Sequence, residues 1–178
     1  MTTDDRRFPE GLAAALAVPF RYDGGDGVEF EPFPRFLSAD ETTAWFRAWI
    51  GNAELTGADF RLFGQDGTGG CAAFWLARPE GDPAAQPVVF LGSEGETAVV
   101  ARDLADFLWL LAGGYGPLEA IPLFAEVRRP GWTPRFNPEL AAVAQRFAPG
   151  APRAAADVIR RAVEEFPDFE STVDEMCR

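Results

Sequence analysis

The stretch PVVFLGSEGETAVVARDLADFLWLLAGG, residues 87–114, decides the fold of this chain. It holds two short apolar runs, Val88–Leu91 and residues 98–101, separated by a polar turn that contains two glycines. Two apolar runs around such a turn are typical of a β-hairpin. Apolar residues then recur at i, i+3, i+4 and i+7, the period of a helix, at Leu104, Phe107, Leu108 and Leu111. Because Trp109 and Leu110 add apolar surface on the other side, the helix should be covered nearly all round. The stretch predicts a buried core.

Capping residues mark the helix boundaries. Asp103 is expected at the N-cap of the helix in this stretch, with Asp106 at N3, and Gly113 is expected to end it. Ser38 and Glu41 have the spacing of a capping box ahead of a second helix.

The remaining segments complete an α+β pattern. Further helices are expected at 10–18, 137–147 and 154–166, the strands of a second hairpin at 59–63 and 71–77, and shorter strands at 19–22 and 28–31. Residues 123–127 are expected to form a short strand or helix. The sequence therefore predicts one α+β domain spanning residues 1–178, with a mixed, mostly antiparallel sheet flanked by helices. Residues 1–9 and the acidic tail from 167 to 178 are expected to be loose termini.

Charge narrows the class of partner. The 178 residues include 28 acidic and 16 basic ones, for a net charge of -12 and a pI near 4.4. Such a field repels a phosphate backbone, so nucleic acid is not expected as a partner. It attracts a basic protein, although acidity can also serve solubility alone.

The residue types exclude several chemistries. The chain has no histidine, so Ser-His-Asp and Cys-His catalysis cannot operate, and two cysteines do not make a disulfide framework or a zinc site. Asp23 and Asp26 lie among glycines, but the closing glutamate of a calcium loop is missing, and a turn is the better interpretation. The glycine-rich loop at 64–70 lacks the lysine and the helix of a phosphate-binding loop. No cofactor or metal is expected.

The first residues are polar, and no apolar run approaches the roughly 18 residues of a membrane span. We therefore expect a cytoplasmic protein with no membrane partner.

A family resemblance rests on the order of elements across residues 58–116. Gly64-x-Asp66-Gly67-x-Gly69 is followed by the strand AFWL at 73–76, the segment PVVFLGSEG at 87–95, and the helix start at Asp103. This order resembles the SUKH superfamily, which contains bacterial immunity proteins and fungal cell-wall-assembly regulators. The resemblance implies an α+β domain with no catalytic residues, which binds and neutralises a cognate toxin. A basic, nuclease-type toxin would suit the charge.

Asp66, Glu94 and Glu96 are the candidate partner-binding residues, because turns between strands project outward. Two alternatives remain open. The protein could be a regulatory scaffold without a toxin partner, or a small hydrolase that uses Asp66 and Glu94 as a carboxylate pair. The oligomeric state does not follow from the sequence.

Overall fold

Five strands form one sheet in which every neighbouring pair is antiparallel. The computed structural model describes residues 6–79, 81–121 and 129–177. The strands follow one another across the sheet in chain order: β1 Glu31–Pro32, β2 Phe60–Gln65, β3 Cys71–Trp75, β4 Val88–Leu91 and β5 Thr97–Ala101. The predicted α+β class and both hairpins are confirmed, and the sheet is a simple meander.

Six helices surround this sheet in the described part of the chain. They are α1 Glu10–Leu16, α2 Ala39–Ile50, α3 Leu104–Ala112, α4 Pro138–Phe147, α5 Ala155–Glu165 and α6 Phe169–Met176. The capping predictions are confirmed for α2, where Ser38 and Glu41 form a capping box, and for α3, where Asp103 accepts a hydrogen bond from the Asp106 amide at 2.7 Å. No helix of the described residues is long and apolar enough to cross a membrane.

The sheet is buried on both faces. On β3, Ala72 and Phe74 enter one apolar core, together with side chains of α1, α3 and α4. Cys71 and Ala73, which alternate with them, enter a second core with side chains of α2, α5 and α6. The strands therefore read as continuous apolar runs instead of alternating patterns.

Helix α5 shields the outer edge of the sheet. It lies against β5, with Val158 in the first core and Ala162 in the second. An open edge strand presents unpaired backbone groups, so this placement protects β5 from pairing with another chain.

Helix α3 carries a carboxylate into the interior. Asp106 is fully buried, and its carboxylate accepts hydrogen bonds from Arg102 at 2.6 Å and from Arg153. The sequence predicted only that its charge suits the first turn of a helix. Two guanidinium groups offset the cost of burying it.

Both predicted loose termini are more ordered than expected. Residues 169–176 form helix α6, whose Phe169 and Val173 are each 2% exposed. Near the other end, Phe8 packs edge-on against Phe36 with ring centroids 4.8 Å apart. Residues 1–5 and Arg178 lie outside the described residues. The apolar spacing at 169 and 173 is that of one helical face, which explains the burial of α6.

The two strands predicted at 19–22 and 28–31 have different outcomes. Residues 19–22 form a loop that leads into a short 3-10 turn, Asp23–Gly25. All three residues of that turn have positive φ angles. Of the strand predicted at 28–31, only Glu31 lies in a strand, the two-residue β1, and residues 28–30 are not part of it. The element expected at 123–127 lies outside the described residues.

The two cysteines differ sharply in environment. Cys71 is 1% exposed on β3, whereas Cys177 is exposed after α6. Burial, with a smaller contribution from the nearby Asp66 carboxylate, raises the pKa of the Cys71 thiol to about 12. The thiolate is the reactive form of cysteine, so Cys71 should be inert in the folded protein.

We therefore predict that one thiol per chain reacts promptly with Ellman's reagent at pH 8, and that the second reacts only in denaturant. At that pH about one Cys71 thiol in 10⁴ is ionised. Cys177→Ser should abolish the fast phase. Two fast thiols in the folded wild-type protein would show that the β3 face is open to solvent.

Candidate partner-binding surface

Two turns lie side by side at one end of the sheet. The β2–β3 turn spans residues 66–70 and the β4–β5 turn spans residues 92–96. The Ser93 hydroxyl donates a hydrogen bond to Thr68 Oγ1 at 2.8 Å, which joins them. The two turns also share one geometry, with a glycine at φ +93° in the fourth position of each, Gly69 and Gly95. A glycine in that conformation is typical of a type I turn closed by a bulge.

Asp66 does not project outward as expected. It is 3% exposed, and its Oδ1 accepts hydrogen bonds from the amides of Thr68 at 2.8 Å and Gly70 at 2.9 Å. The Thr68 hydroxyl donates to the same atom at 2.8 Å. Asp66 occupies the first position of the turn, where an aspartate side chain folds over the backbone two residues on. Its carboxylate is therefore a structural part of the turn.

Glu94 keeps the position that the sequence predicted. It occupies the third position of the β4–β5 turn and is exposed. Glu96 is half-buried, and its carboxylate bends back over Gly92, where a Cβ atom would lie 2.4 Å from Oε2. Of the three predicted residues, Glu94 is thus the one that is exposed.

A further acid reaches the same end from the edge strand. Glu31 on β1 is exposed and pairs in register with Gln65, the last residue of β2 before the turn. The Gln65 side chain donates to Glu31 Oε2 at 3.3 Å. We call Glu31, Glu94 and Glu96 the acidic end of the sheet. Strand pairing places Glu31 there, and no local sequence signal pointed to it.

Two tryptophans flank the acidic end. Trp45 and Trp49 of α2 stack with ring centroids 5.5 Å apart and planes 10° from parallel. The Trp49 indole donates a hydrogen bond to the Gly92 carbonyl at 2.7 Å, which ties α2 to the β4–β5 turn. Both rings are half-buried, whereas Phe46 and Ile50 of the same helix are buried. Trp45 and Trp49 also pack against the second core, to which Phe46 and Ile50 belong.

No family model, no curated protein and no solved structure matches this chain.

A buried ion cluster lies behind the acidic end. The Glu119 side chain is 0% exposed, and its Oε1 accepts a hydrogen bond from the Glu29 amide at 2.9 Å. Arg129 lies 2.6 Å from the Glu29 carboxylate and 3.4 Å from that of Glu119. Glu119 Oε2 has no hydrogen-bond partner among the described residues. Burial raises the pKa of Glu119, against the opposing effect of the backbone hydrogen bonds and Arg129.

The hydrolase alternative requires Asp66 as one member of a carboxylate pair, and Asp66 is 3% exposed. Asp66 is committed to its turn, as described above. Two cavities, of about 480 and 370 Å³, lie in the described part of the chain, and neither residue lines either of them. The described residues also hold no group of three or more potential metal-ligating side chains.

We predict that Asp66→Ala lowers the free energy of unfolding by about 1–3 kcal/mol, because it leaves the Thr68 and Gly70 amides without their acceptor. Asp66→Asn retains an acceptor oxygen and should lose less. Urea denaturation measures both. Glu94→Ala, in the neighbouring turn, should stay within about 0.5 kcal/mol of wild type. Equal losses at residues 66 and 94 would contradict a structural role for Asp66.

Glu119 makes a pH-dependent contribution to stability. Its pKa in the folded chain is raised above the ordinary value of 4.5, so the folded state retains a proton that the unfolded state has lost. Stability therefore falls as the pH rises from about 4.5 through the raised value. We predict that Glu119→Gln removes this decline. The free energy of unfolding of the variant, measured by urea denaturation between pH 5 and 8, should therefore increase relative to that of wild type as the pH rises. A difference independent of pH would contradict this, and Glu31→Gln is the exposed control.

Proposed function

We propose that this protein is a non-enzymatic binding domain of the immunity-protein kind, which binds a basic protein, a cognate toxin, through the acidic end of the sheet. The observation that carries the proposal is the Ser93–Thr68 hydrogen bond. It joins the turn that carries Glu94 to the β2–β3 turn, which begins after Gln65, the residue bonded to Glu31. The Trp49 indole is bonded to Gly92, in the same turn as Glu94. Aromatic residues are enriched in protein interfaces, and polar residues form their rim.

The distribution of arginine supports this proposal. Among the described residues, the arginines that pair with carboxylates include Arg6, Arg78, Arg102, Arg129, Arg135, Arg153 and Arg160. Because each pair cancels one charge of each sign, the net charge of -12 remains as an excess of acids over arginines. A field of this sign speeds the approach of a basic protein.

The tryptophan pair supplies contact area next to these charges. Trp45 and Trp49 are held parallel by their stacking and by the Trp49–Gly92 hydrogen bond. Rigid, half-exposed tryptophans lose little entropy on binding and are enriched among residues that dominate interface energies. The acids would then set the association rate and the tryptophans the lifetime of the complex.

The test is capture of partners from the source cell with three baits. These are wild type, the double variant Glu31→Gln/Glu94→Gln, and the control Glu164→Gln/Glu170→Gln. The control removes two exposed acids near Phe166 and Phe169, which pack on Trp75 at the opposite end of β3. We predict that wild type and control capture one basic protein at moderate salt. The captured protein should associate with the double variant about 3- to 10-fold more slowly than with wild type, and the association rate should depend less on salt.

Identical capture and association by all three baits would contradict the proposal. A captured set of cell-wall or signalling proteins would favour the regulatory scaffold instead. A toxin gene beside the gene for this chain would favour the immunity role independently of any capture experiment.

A further inference from the structure

A cavity of about 480 Å³ lies between the loop at residues 18–28 and the start of helix α4. Its apolar wall is formed by aromatic rings: Phe20 and Trp132 are half-buried, and Phe136 is 66% exposed. A phenylalanine exposed to this degree has surface left for a partner. Trp132 packs against the first core and also lines the cavity.

The wall is already rigid without an occupant. The Trp132 ring packs edge-on against Tyr115 at 5.4 Å, and the Phe20 ring packs likewise against Phe30 at 5.3 Å. Arg129 donates hydrogen bonds to the carbonyls of Gly25 and Gly27, each at 3.0 Å. The Trp132 indole also donates to the Gly27 carbonyl, at 3.2 Å. A pre-formed site of this kind does not have to be ordered when its occupant binds.

The charges around the cavity favour a cation. Three acids line it, Asp23, Asp26 and Glu139, against two arginines, Arg21 and Arg135. One of these arginines, Arg135, already pairs with Asp26 at 3.2 Å. The remaining carboxylates, Asp23 and Glu139, line the same cavity as the aromatic rings and Arg21. A cation between carboxylates and ring faces is attracted by both.

An anion is disfavoured in the same place. The first turn of α4 lines the cavity, but its amides are already satisfied, because Asn137 Oδ1 accepts from Glu139 at 3.0 Å and from Leu140 at 3.1 Å. The Glu139 carboxylate, exposed in that turn, would repel a negative group.

The cavity also adjoins the acidic end of the sheet. Gly27 and Val28 line it, and the next residue, Glu29, extends to the β2–β3 turn, where a Cβ on Gly67 would lie 2.7 Å from Glu29 Oε1. β1, with Glu31, follows directly. A protein that covers the acidic end therefore has the cavity mouth beside its footprint.

We propose that this aromatic cavity receives a lysine or arginine side chain of the partner, with the apolar stem against Phe20, Trp132 and Phe136 and the charged head toward Asp23 and Glu139. The inference rests on the proposed function, since it assigns the occupant to a basic partner. It adds an anchoring point to a surface that otherwise contributes charge and the tryptophan pair.

The test uses small probes in place of the partner. Nα-acetyl-lysine amide and Nα-acetyl-arginine amide are titrated into ¹⁵N-labelled protein, with Nα-acetyl-norleucine amide as the probe that keeps the apolar stem and lacks the charge. The indole N–H signals are the readout. We expect the cationic amides to shift the Trp132 signal in a saturable way, and the norleucine amide to bind several-fold more weakly. The signal of Trp109, whose indole is bonded to the Ala148 carbonyl in the core, should not move.

Variants localise the effect. Phe136→Ala should lower the affinity for the cationic amides about 3- to 10-fold. The double variant Asp23→Asn/Glu139→Gln should lower the affinity for the lysine amide to that for the norleucine amide. Val163→Ala, which truncates another exposed apolar side chain on α5, should change nothing. The spectrum of each variant shows whether it is folded.

Two results would overturn the inference: equal affinity of the lysine and norleucine amides, or no shift of Trp132 up to the solubility limit of the probes. Because no partner is present, either failure leaves the capture result at the acidic end unaffected. Conversely, the cationic amides could bind as expected while all three baits capture the same proteins equally. That combination would contradict the proposed function and leave the cavity as a cation site.

Discussion

Burial of the sheet on both faces is the constraint on which the rest of this structure depends. A strand covered on both sides must be apolar at successive positions, as β4 is from Val88 to Leu91. One set of helices cannot cover two faces, so the chain supplies three on each side and closes the β5 edge with α5, which contributes to both cores. The candidate binding features lie outside these apolar faces, at one end of the sheet and in the loops that join the layers.

The two hairpin turns show how one geometry can give a carboxylate opposite roles. In each turn the fourth residue is a glycine at positive φ, and the strands close in the same way. An aspartate in the first position, Asp66, folds over the turn and is buried, whereas glycine fills that position in the other turn. Glu94, in the third position of its turn, is exposed. Position within the turn decides which acid can meet a partner.

The fold was largely predictable because its signals are local. The apolar runs of β4 and β5, the Asp103 cap of α3 and the capping box of α2 each depend on residues a few positions apart. The burial of Asp66 could have been predicted too, from the preference for aspartate in the first position of a turn. The clusters around Asp106 and Glu119 could not, because Arg153 is 47 residues from Asp106 and Glu29 is 90 residues from Glu119. Helix α6 was missed because only Phe169 and Val173 mark its buried face.

The internal use of arginine links the folding of this chain to its surface charge. Arg102 and Arg153 offset the buried Asp106, and Arg129 offsets the buried Glu119 while it holds the Gly25 and Gly27 carbonyls of the cavity wall. An internal pair cancels one charge of each sign, so these pairs leave the net charge of -12 unchanged. The interior thus requires arginines beside its buried carboxylates, and the excess of acids elsewhere attracts a basic protein. Arg129 serves both the interior and the candidate site. The ion cluster to which it belongs stabilises the domain and also fixes the wall against which a cationic side chain would pack.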